Sequence, residues 1–539
     1  SSIFFQVRGW RKCRPARLGR RAPARLAVSK MPCLLAASGA RNVLRQQPRG
    51  WKVPLCAGLA GLCIGWDIGY IGSLLELTSF REDVHGGRPL SGAEAGGLVS
   101  IQAAGCFIAS LPCLTGTAME TFGRRGVFVI SGVLCVLATI VQCTSSDLTQ
   151  MSIGRFILGL PTGALVVCPV YQSEVAPREA RGAMMGLFPL GLTFGIFASS
   201  ACGFSVQGIA HGWRYSIWPI ACFGAALAAA MLYCPESPRH LLFAGMDAKA
   251  WEVLLWLRWG APHEEIQQEF EVMRENIMLE RNRRQASYRF LFSGFSGRLM
   301  AVCVIGWFLF QACGMPAFTY FGPKMFKMAR LDAFIFQMTT SGCGFLMTSL
   351  SLWLLDKCGR KVLLKWGAAA MAASMFALGM LGSRCIVIPM ACPEHDDLFD
   401  CAHSPGHPPG QVERIVQVAL VMFAFAFVGA YSLSWGCVMN VFANEVFPLR
   451  CRAKAASIGA ASSYIGNFCV GQCTPMLMDM IHFETFLLFG LVDVACFFYA
   501  CWIPETANMH LEQIIPVFEK RLGVEYCDLS EGLTPQQSH

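Results

Sequence analysis

Long stretches without a single charged residue alternate along this chain with short polar ones. Residues 95–119, 126–146, 183–210, 215–235, 299–323, 333–355, 366–383, 415–444 and 455–478 contain no Asp, Glu, Lys or Arg. Each is about as long as the roughly 20 residues a helix needs to cross a bilayer. Three further apolar stretches each carry one charge, at Asp67, Arg155 and Asp493. The pattern predicts twelve spans. A segment inside a bilayer must satisfy its own backbone hydrogen bonds, so these spans are predicted to be helices and the fold all-α.

Composition agrees. The 539 residues are 54% hydrophobic and 15% charged, against about 25% charged in a soluble domain. Most of the 44 Lys and Arg fall on one side of the predicted membrane when the N-terminus is placed inside, so both ends are expected to be cytoplasmic. The net charge of +9 is no nucleic-acid signal. Residues 1–52 carry thirteen basic residues and no acidic one, which leaves the remainder slightly acidic.

That first segment begins with Ser, and its first Met is Met31. Arg-rich and acid-free, it resembles a transit peptide, but positive flanking of a first span explains the same bias. The expectation is a disordered cytosolic tail, or sequence upstream of a start at Met31. The 26 cysteines are scattered through apolar stretches as small buried hydrophobes. Cys392 and Cys401, in the predicted outer loop "CPEHDDLFDCAHSPGHPPG", are a candidate disulfide. His395, His403 and His407 in that loop lack a compact ligand spacing, so neither metal nor cofactor is expected.

The chain repeats itself. Glu174, Pro177 and Arg181 in "SEVAPREARG" recur as Glu445, Pro448 and Arg452 in "NEVFPLRCRA", 271 residues later. "ETFGRRG" at 120–126 pairs with "DKCGRKV" at 356–362, and "PESPR" at 235–239 with "PETAN" at 504–508. The offset from 120 to 356, 236 residues, is shorter than the other two by about the length of the 385–411 loop. The predicted organisation is a basic tail at 1–52, a six-helix bundle at 53–235, a cytosolic linker at 236–297, a second bundle at 298–503 and a tail at 504–539. Internal repeats of this kind are typical of secondary transporters, which bind solute between the repeats. In the linker, Ile266, Phe270, Met273 and Ile277 recur at helical spacing between charges and predict a small amphipathic helical bundle.

Every repeated motif falls on the predicted cytoplasmic side. Arginines and carboxylates at helix ends pair strongly in a partly dehydrated layer. Glu120, Arg124, Arg125, Glu174, Arg181, Glu236 and Arg239 in the first half, and Asp356, Arg360, Glu445, Arg452 and Glu505 in the second, are candidates for a cytoplasmic gate. Snorkelling anchors would explain the arginines, but not glutamates at fixed offsets. Within the spans, Asp67 and Arg155 are natural partners, because a charge at membrane depth pairs or faces water. If the arginine swings away, Asp67 is left to take up a proton; a static ion pair is the alternative. Asp493 is expected to be structural or to lie at a polar interface.

In this order and spacing, "ETFGRR", "GRFILGLPTGALVVCPVYQSEVAPREARG", "PESPR", "DKCGRK", "NEVFPLRCRAKAAS" and "PET" resemble the signatures of the sugar porter family of the major facilitator superfamily, nearest in pattern to fungal members. The resemblance covers about 51–515. It implies two six-helix bundles, alternating access to a central site, and an aspartate and arginine at the positions of Asp67 and Arg155 that serve proton coupling in similar symporters. It also exposes departures. In the seventh span the family's paired glutamines are Phe310 and Gln311, its asparagine is Pro316, and Tyr320 is followed by Phe321. The fifth-helix glutamine position is Pro189 and the eighth-helix asparagine Gly344. The tenth-helix tryptophan position is Asn440, with Trp435 fitting the fungal pattern, and the eleventh-helix asparagine–tryptophan pair is Ser463–Tyr464. Gln311, Tyr320, Phe310, Phe321, Asn440, Ser463 and Tyr464 remain as candidate solute contacts.

The expectation is therefore a secondary transporter, in the plasma membrane, that moves a sugar, polyol or sugar acid together with protons. An uncoupled facilitator of the same fold and a non-transporting nutrient receptor stay open. A receptor of that kind usually signals through a long cytosolic tail, and the segment after about 504 is short. An enzyme is not expected, since no nucleophile–base pair, metal cluster or phosphate loop stands out, and "GRFILGLPTG" reads as close helix packing at Gly159 and Gly163.

Overall fold

The computed structural model describes residues 48–177, 184–282, 291–328, 331–386, 411–447, 449–505 and 511–523. Arg181, Cys392 and Cys401 lie outside the described residues, as do residues 1–47. The side chains of Asp356, Asn440, Glu445 and Arg452 lie outside them too.

Among the described residues every regular element is helical. The first half holds α1 (Pro48–Glu76), α2 (Thr78–His85), α3 (Gly92–Ser110), α4 (Gly123–Cys143), α5 (Leu148–Ala164), α6 (Cys168–Val175), α7 (Leu187–Ser205) and α8 (Gly212–Tyr233). Then come α9 (Pro238–Phe243), α10 (Asp247–Leu257) and α11 (His263–Asn282). The second half holds α12 (Gly294–Ala312), α13 (Met315–Met328), α14 (Ala333–Cys358), α15 (Arg360–Ile386), α16 (Gln411–Leu433), α17 (Trp435–Val446), α18 (Leu449–Ile481) and α19 (Thr485–Trp502), followed by α20 (Leu511–Leu522). Among the described residues ten stretches are long and apolar enough to cross a membrane, and the 49-residue stretch Lys454–Trp502 contains two helices. The 26-residue α14 completes twelve spans in two bundles of six. The fourth, seventh and tenth spans are each broken, as α5–α6, α12–α13 and α16–α17. At the seventh, Gly314 takes φ +92°, a conformation that glycine adopts without a Cβ clash.

Polar residues set the helix starts. Ser91 and Glu94 cap α3 reciprocally, and Asp332 accepts from the Phe334 and Ile335 amides at the head of α14. Such caps satisfy amides that have no partner inside the helix.

The bundles are held by small residues as much as by apolar bulk. Gly61, Gly65 and Gly69 lie one turn apart on α1, opposite Gly191, Gly195 and Ser199 on α7. A Cβ at Gly195 would sit 2.7 Å from the Leu62 carbonyl, and one at Gly65 would overlap the Leu192 carbonyl. The expected close packing at Gly159 and Gly163 is present, with both against α3 at Gln102–Cys106. Apolar burial gives little drive between helices in lipid, so this close approach carries the association. Gly65→Leu is expected to destabilise the first bundle by about 3 kcal/mol or more. Gly97→Leu, at a position with nothing within 4 Å, should leave the thermal midpoint of the purified protein unchanged.

The helices α9–α11 form the small apolar unit that the linker pattern predicts, with Ile266, Met273 and Ile277 buried against Leu241, Leu242 and Leu254. Arg258 fixes it to the fourth span. Its guanidinium donates to the Val175 and Ala176 carbonyls at 3.0 and 3.2 Å and is paired with Glu269 at 2.9 Å. The end of the molecule carrying these helices is termed the linker face below, and the opposite end the far face.

Candidate transport site

Asp67 lies midway along α1 and Arg155 two turns into α5; each side chain is 1% exposed. Arg155 Nη1 donates to Asp67 Oδ1 and to the Tyr70 hydroxyl, both at 3.0 Å, and its Nε donates to the Leu98 carbonyl. The second carboxylate oxygen accepts from Gln102 Nε2 at 2.7 Å and from Thr162 Oγ1 at 3.3 Å. Tyr70 passes the chain on, donating to Gln142 at 2.6 Å. A buried ion pair survives only when its remaining donors and acceptors are also satisfied, and here α1, α3 and α5 supply them. The sequence pairs Asp67 with Arg155 but gives no sign of Tyr70, Gln102, Gln142 or Thr162. Uncharged polar residues inside apolar stretches do not break the hydropathy pattern, and only their sequence position at Asp67's depth marks Gln102 and Thr162.

The second half faces this pair across the centre of the molecule. Tyr320 is buried on α13, its hydroxyl 3.2 Å from the Asn467 amide nitrogen on α18, and its carbonyl lies against Gly72 of α1. Gln311 Nε2 donates to Ser463 Oγ at 3.1 Å. Phe310 stacks on Tyr431 at 5.8 Å and meets Trp307 edge-on. Phe321 packs edge-on beside Tyr320, and Tyr464 is half-buried on α18. These groups offer an aromatic face beside amide and hydroxyl groups, the combination that binds a ring with polar edges and apolar faces. Asn467 was not among the residues picked out from sequence; its signal is a lone amide one turn after Ser463. Trp435 does not join them. It is fully buried and donates to the Leu364 carbonyl at 3.1 Å, pinning the break between α16 and α17 to α15.

The repeated motifs meet at the linker face. Glu236 accepts from the backbone amides of Arg124 and Arg125 at 3.0 and 3.1 Å, so it caps α4. Glu505 does the same for Arg360 and Lys361 at the head of α15, at 2.9 and 3.0 Å. Each cap follows a glycine with positive φ, Gly123 at +73° and Gly359 at +81°, and a Cβ at either would crowd the carboxylate. The glutamates are thus placed on backbone amides. Arg124 pairs with Glu174 at 3.3 Å and reaches His240 Nδ1 at 2.7 Å. Arg125 donates to the Met231 and Leu232 carbonyls that end α8. Glu120 and Arg239 are exposed. Burial, and then the adjacent Arg124 guanidinium, hold the His240 imidazole below its usual range. The folded cluster therefore prefers the neutral ring. Its contribution is complete above the ordinary value of about 6.5 and declines as pH falls below it towards the lowered folded value. The thermal midpoint should drop over that acid range, and His240→Gln should flatten the drop.

The two halves touch on the far-face side of this site. Ser100 on α3 donates to Gln472 on α18 at 2.7 Å, and Lys327 on α13 pairs with Glu76 on α1 at 3.3 Å. Ser200 on α7 lies 3.1 Å from Ser341 on α14. Glycines make the seam tight: a Cβ at Gly72 would lie 2.7 Å from the Thr319 carbonyl, and one at Gly96 equally close to that of Gln472.

Two six-helix bundles meeting at a central polar site, with repeated motifs at one face, define a secondary transporter of the major facilitator type. A profile of the sugar (and other) transporter family matches residues 53–518, and the chain belongs to this family, the sugar porters. It is 28% identical over 494 residues to a low-affinity glucose transporter of Saccharomyces cerevisiae, covering 89% of this chain and 82% of the relative. It is 27% identical to an arabinose–proton symporter of Bacillus subtilis, covering 88% and 96%. A solved proton:xylose symporter bound to 6-bromo-6-deoxy-D-glucose superposes with a TM-score of 0.70 at 22% identity, over 88% of this chain and 99% of that one. An inward-open xylose transporter from E. coli superposes at 0.67.

Proposed function

We propose that this protein is a proton-coupled symporter for a sugar-like polyhydroxy solute, working by alternating access. The observation that carries the reading is the Asp67–Arg155 pair, buried inside one half on the helix whose Gly72 rests against the Thr319 and Tyr320 carbonyls of the other. Solute held between Phe310, Gln311, Tyr320, Ser463 and Tyr464 pulls the halves together. That movement alters the surroundings of Arg155, and Asp67 exchanges a proton as the pair loosens or tightens. A structural ion pair needs no such link to the opposite half. The arabinose–proton and xylose–proton symporters among the relatives support the coupling, and the glucose transporter supports the solute class.

The halves 53–235 and 298–503 are the rocking units and 236–297 the tether between them. The linker face is cytoplasmic, as the Lys and Arg bias requires, and the cell membrane is the site of action. Ser100–Gln472, Lys327–Glu76 and the glycine seam then close the outer side. At the inner face Arg124–Glu174, with the caps at Glu236 and Glu505, forms a gate in which Arg181, Asp356, Glu445 and Arg452 take part.

Cells lacking their own sugar carriers provide the test. Hexoses, pentoses, polyols, sugar acids and quinate are added singly to cells expressing the chain while external pH is followed. Alkalinisation with one compound, lost in Asp67→Asn, identifies symport and the substrate class together. Labelled uptake without any pH change identifies a facilitator instead.

A further inference from the structure

A second buried carboxylate has no place in this cycle. Asp493 lies midway along α19 and is fully buried. Neither of its oxygens has a hydrogen-bond partner among the described residues. Among the described residues no cation acts on it, whereas Asp67 has an arginine, an amide and a hydroxyl. A buried ionised carboxylate without a donor or counter-charge beside it is costly at membrane depth, and the protonated acid is the form that fits.

Its position is specific. Phe489, one turn before it, packs on Gly314, and Cys496, one turn after it, reaches the Leu309 carbonyl with its thiol. Asp493 lies between these contacts and so faces the break between α12 and α13, where Met375 of α15 covers Gly314 from the other side. Among the described residues the titratable groups that sense it are the thiols of Cys313 on the break and Cys496 on its own helix; the Tyr431 phenol of α16 senses both thiols but not Asp493. At the 269-residue offset that relates Pro504 to Pro235, the first half has Gly224, packed on Gly132 and Cys135. The carboxyl is therefore a feature of the second half alone, set against the segment that closes the outer seam. Gly72 of α1 rests on the Thr319 and Tyr320 carbonyls of α13, so α13 has to move for that seam to part.

We infer that Asp493 is a second proton-binding site, which holds its proton while α13 is docked on α1 and releases it to water in the central cavity when α13 swings away. The step breaks one carboxyl O–H bond and leaves a carboxylate that water then solvates. The inference rests on the alternating-access reading.

Infrared spectra of the purified protein in liposomes test it without any solute. The protonated carboxyl stretch of Asp493 is the band that disappears in Asp493→Asn and shifts in Asp493→Glu; the second variant guards against a misfolded first one. It is expected in the wild type at neutral pH. It should be lost at the same pH in Gly96→Trp, which wedges the outer seam apart. A band of equal strength in both would make Asp493 a permanent structural acid and overturn the inference, as would the absence of any Asp493 band in the wild type. If the transport reading fails, the wild-type band remains; if this inference fails, proton-coupled uptake is unaffected.

Discussion

Asp67→Asn abolishes accumulation of solute against its gradient while leaving exchange of labelled for unlabelled solute intact. The substitution keeps the shape of the side chain and its contacts with Gln102 and Thr162, but it removes the proton acceptor. Arg155 keeps Tyr70 and the Leu98 carbonyl and loses its counter-charge. Breaking a buried pair from one side costs about 3–5 kcal/mol, so yield and thermal midpoint will also fall. Arg155→Leu costs a similar amount but leaves Asp67 as a neutral acid, so it too loses accumulation. The two variants differ in charge and agree in transport only if proton exchange at Asp67 is the coupled event. In proteoliposomes the expected effect on accumulation is at least tenfold, with exchange reduced by less than about threefold; those factors correspond to about 1.4 and 0.6 kcal/mol.

Gly96→Trp arrests the cycle with the outer side open. A Cβ at this position already lies 2.7 Å from the Gln472 carbonyl and 3.1 Å from the Pro475 ring, so an indole cannot be housed between α3 and α18 while the seam is closed. Solute binding persists and both uptake and exchange stop, because each needs closure. A membrane-impermeant thiol reagent, read by peptide mapping, should label a Ser100→Cys position in the Gly96→Trp background and spare it in the otherwise wild-type chain. Equal labelling of both would mean that the Ser100–Gln472 contact does not seal the outer side.

The fold is legible in the sequence to an unusual depth for physical reasons. Helices in lipid announce themselves as charge-free stretches of a fixed minimum length, and the helices that form the twelve spans follow those stretches closely. The breaks within spans are the exception: residues 299–323, for example, read as one stretch, and only Gly314 beside Met315–Pro316 marks where α12 ends and α13 begins. The linker was legible because Ile266, Met273 and Ile277 lie at helical spacing in otherwise charged sequence. The repeated motifs were legible as positions but not as contacts. Sequence offsets pair Glu236 with Glu505, whereas only coordinates place both on backbone amides, since a cap of that kind needs the chain to return from over a hundred residues away.

The site was legible where it is charged and illegible where it is not. Asp67 and Arg155 stand out because a charge in an apolar stretch is rare and costly. Gln102, Gln142 and Thr162 carry as much of the same network and look like tolerated polar substitutions. Asn467 escaped for the same reason, although it is the partner of Tyr320. Asp493 is visible as a charge, and what the sequence withholds is that neither of its oxygens has a hydrogen-bond partner among the described residues.

Coupling itself is tested most directly by driving the purified protein with a pH gradient alone. Proteoliposomes with an alkaline interior are given the labelled compound identified by the alkalinisation screen. Internal solute is expected to rise above the external concentration and to fall back to equality when a protonophore is added. Entry that stops at equality, with the gradient intact and no effect of protonophore, would contradict the coupling and leave Asp67 and Arg155 as a structural pair in a facilitator.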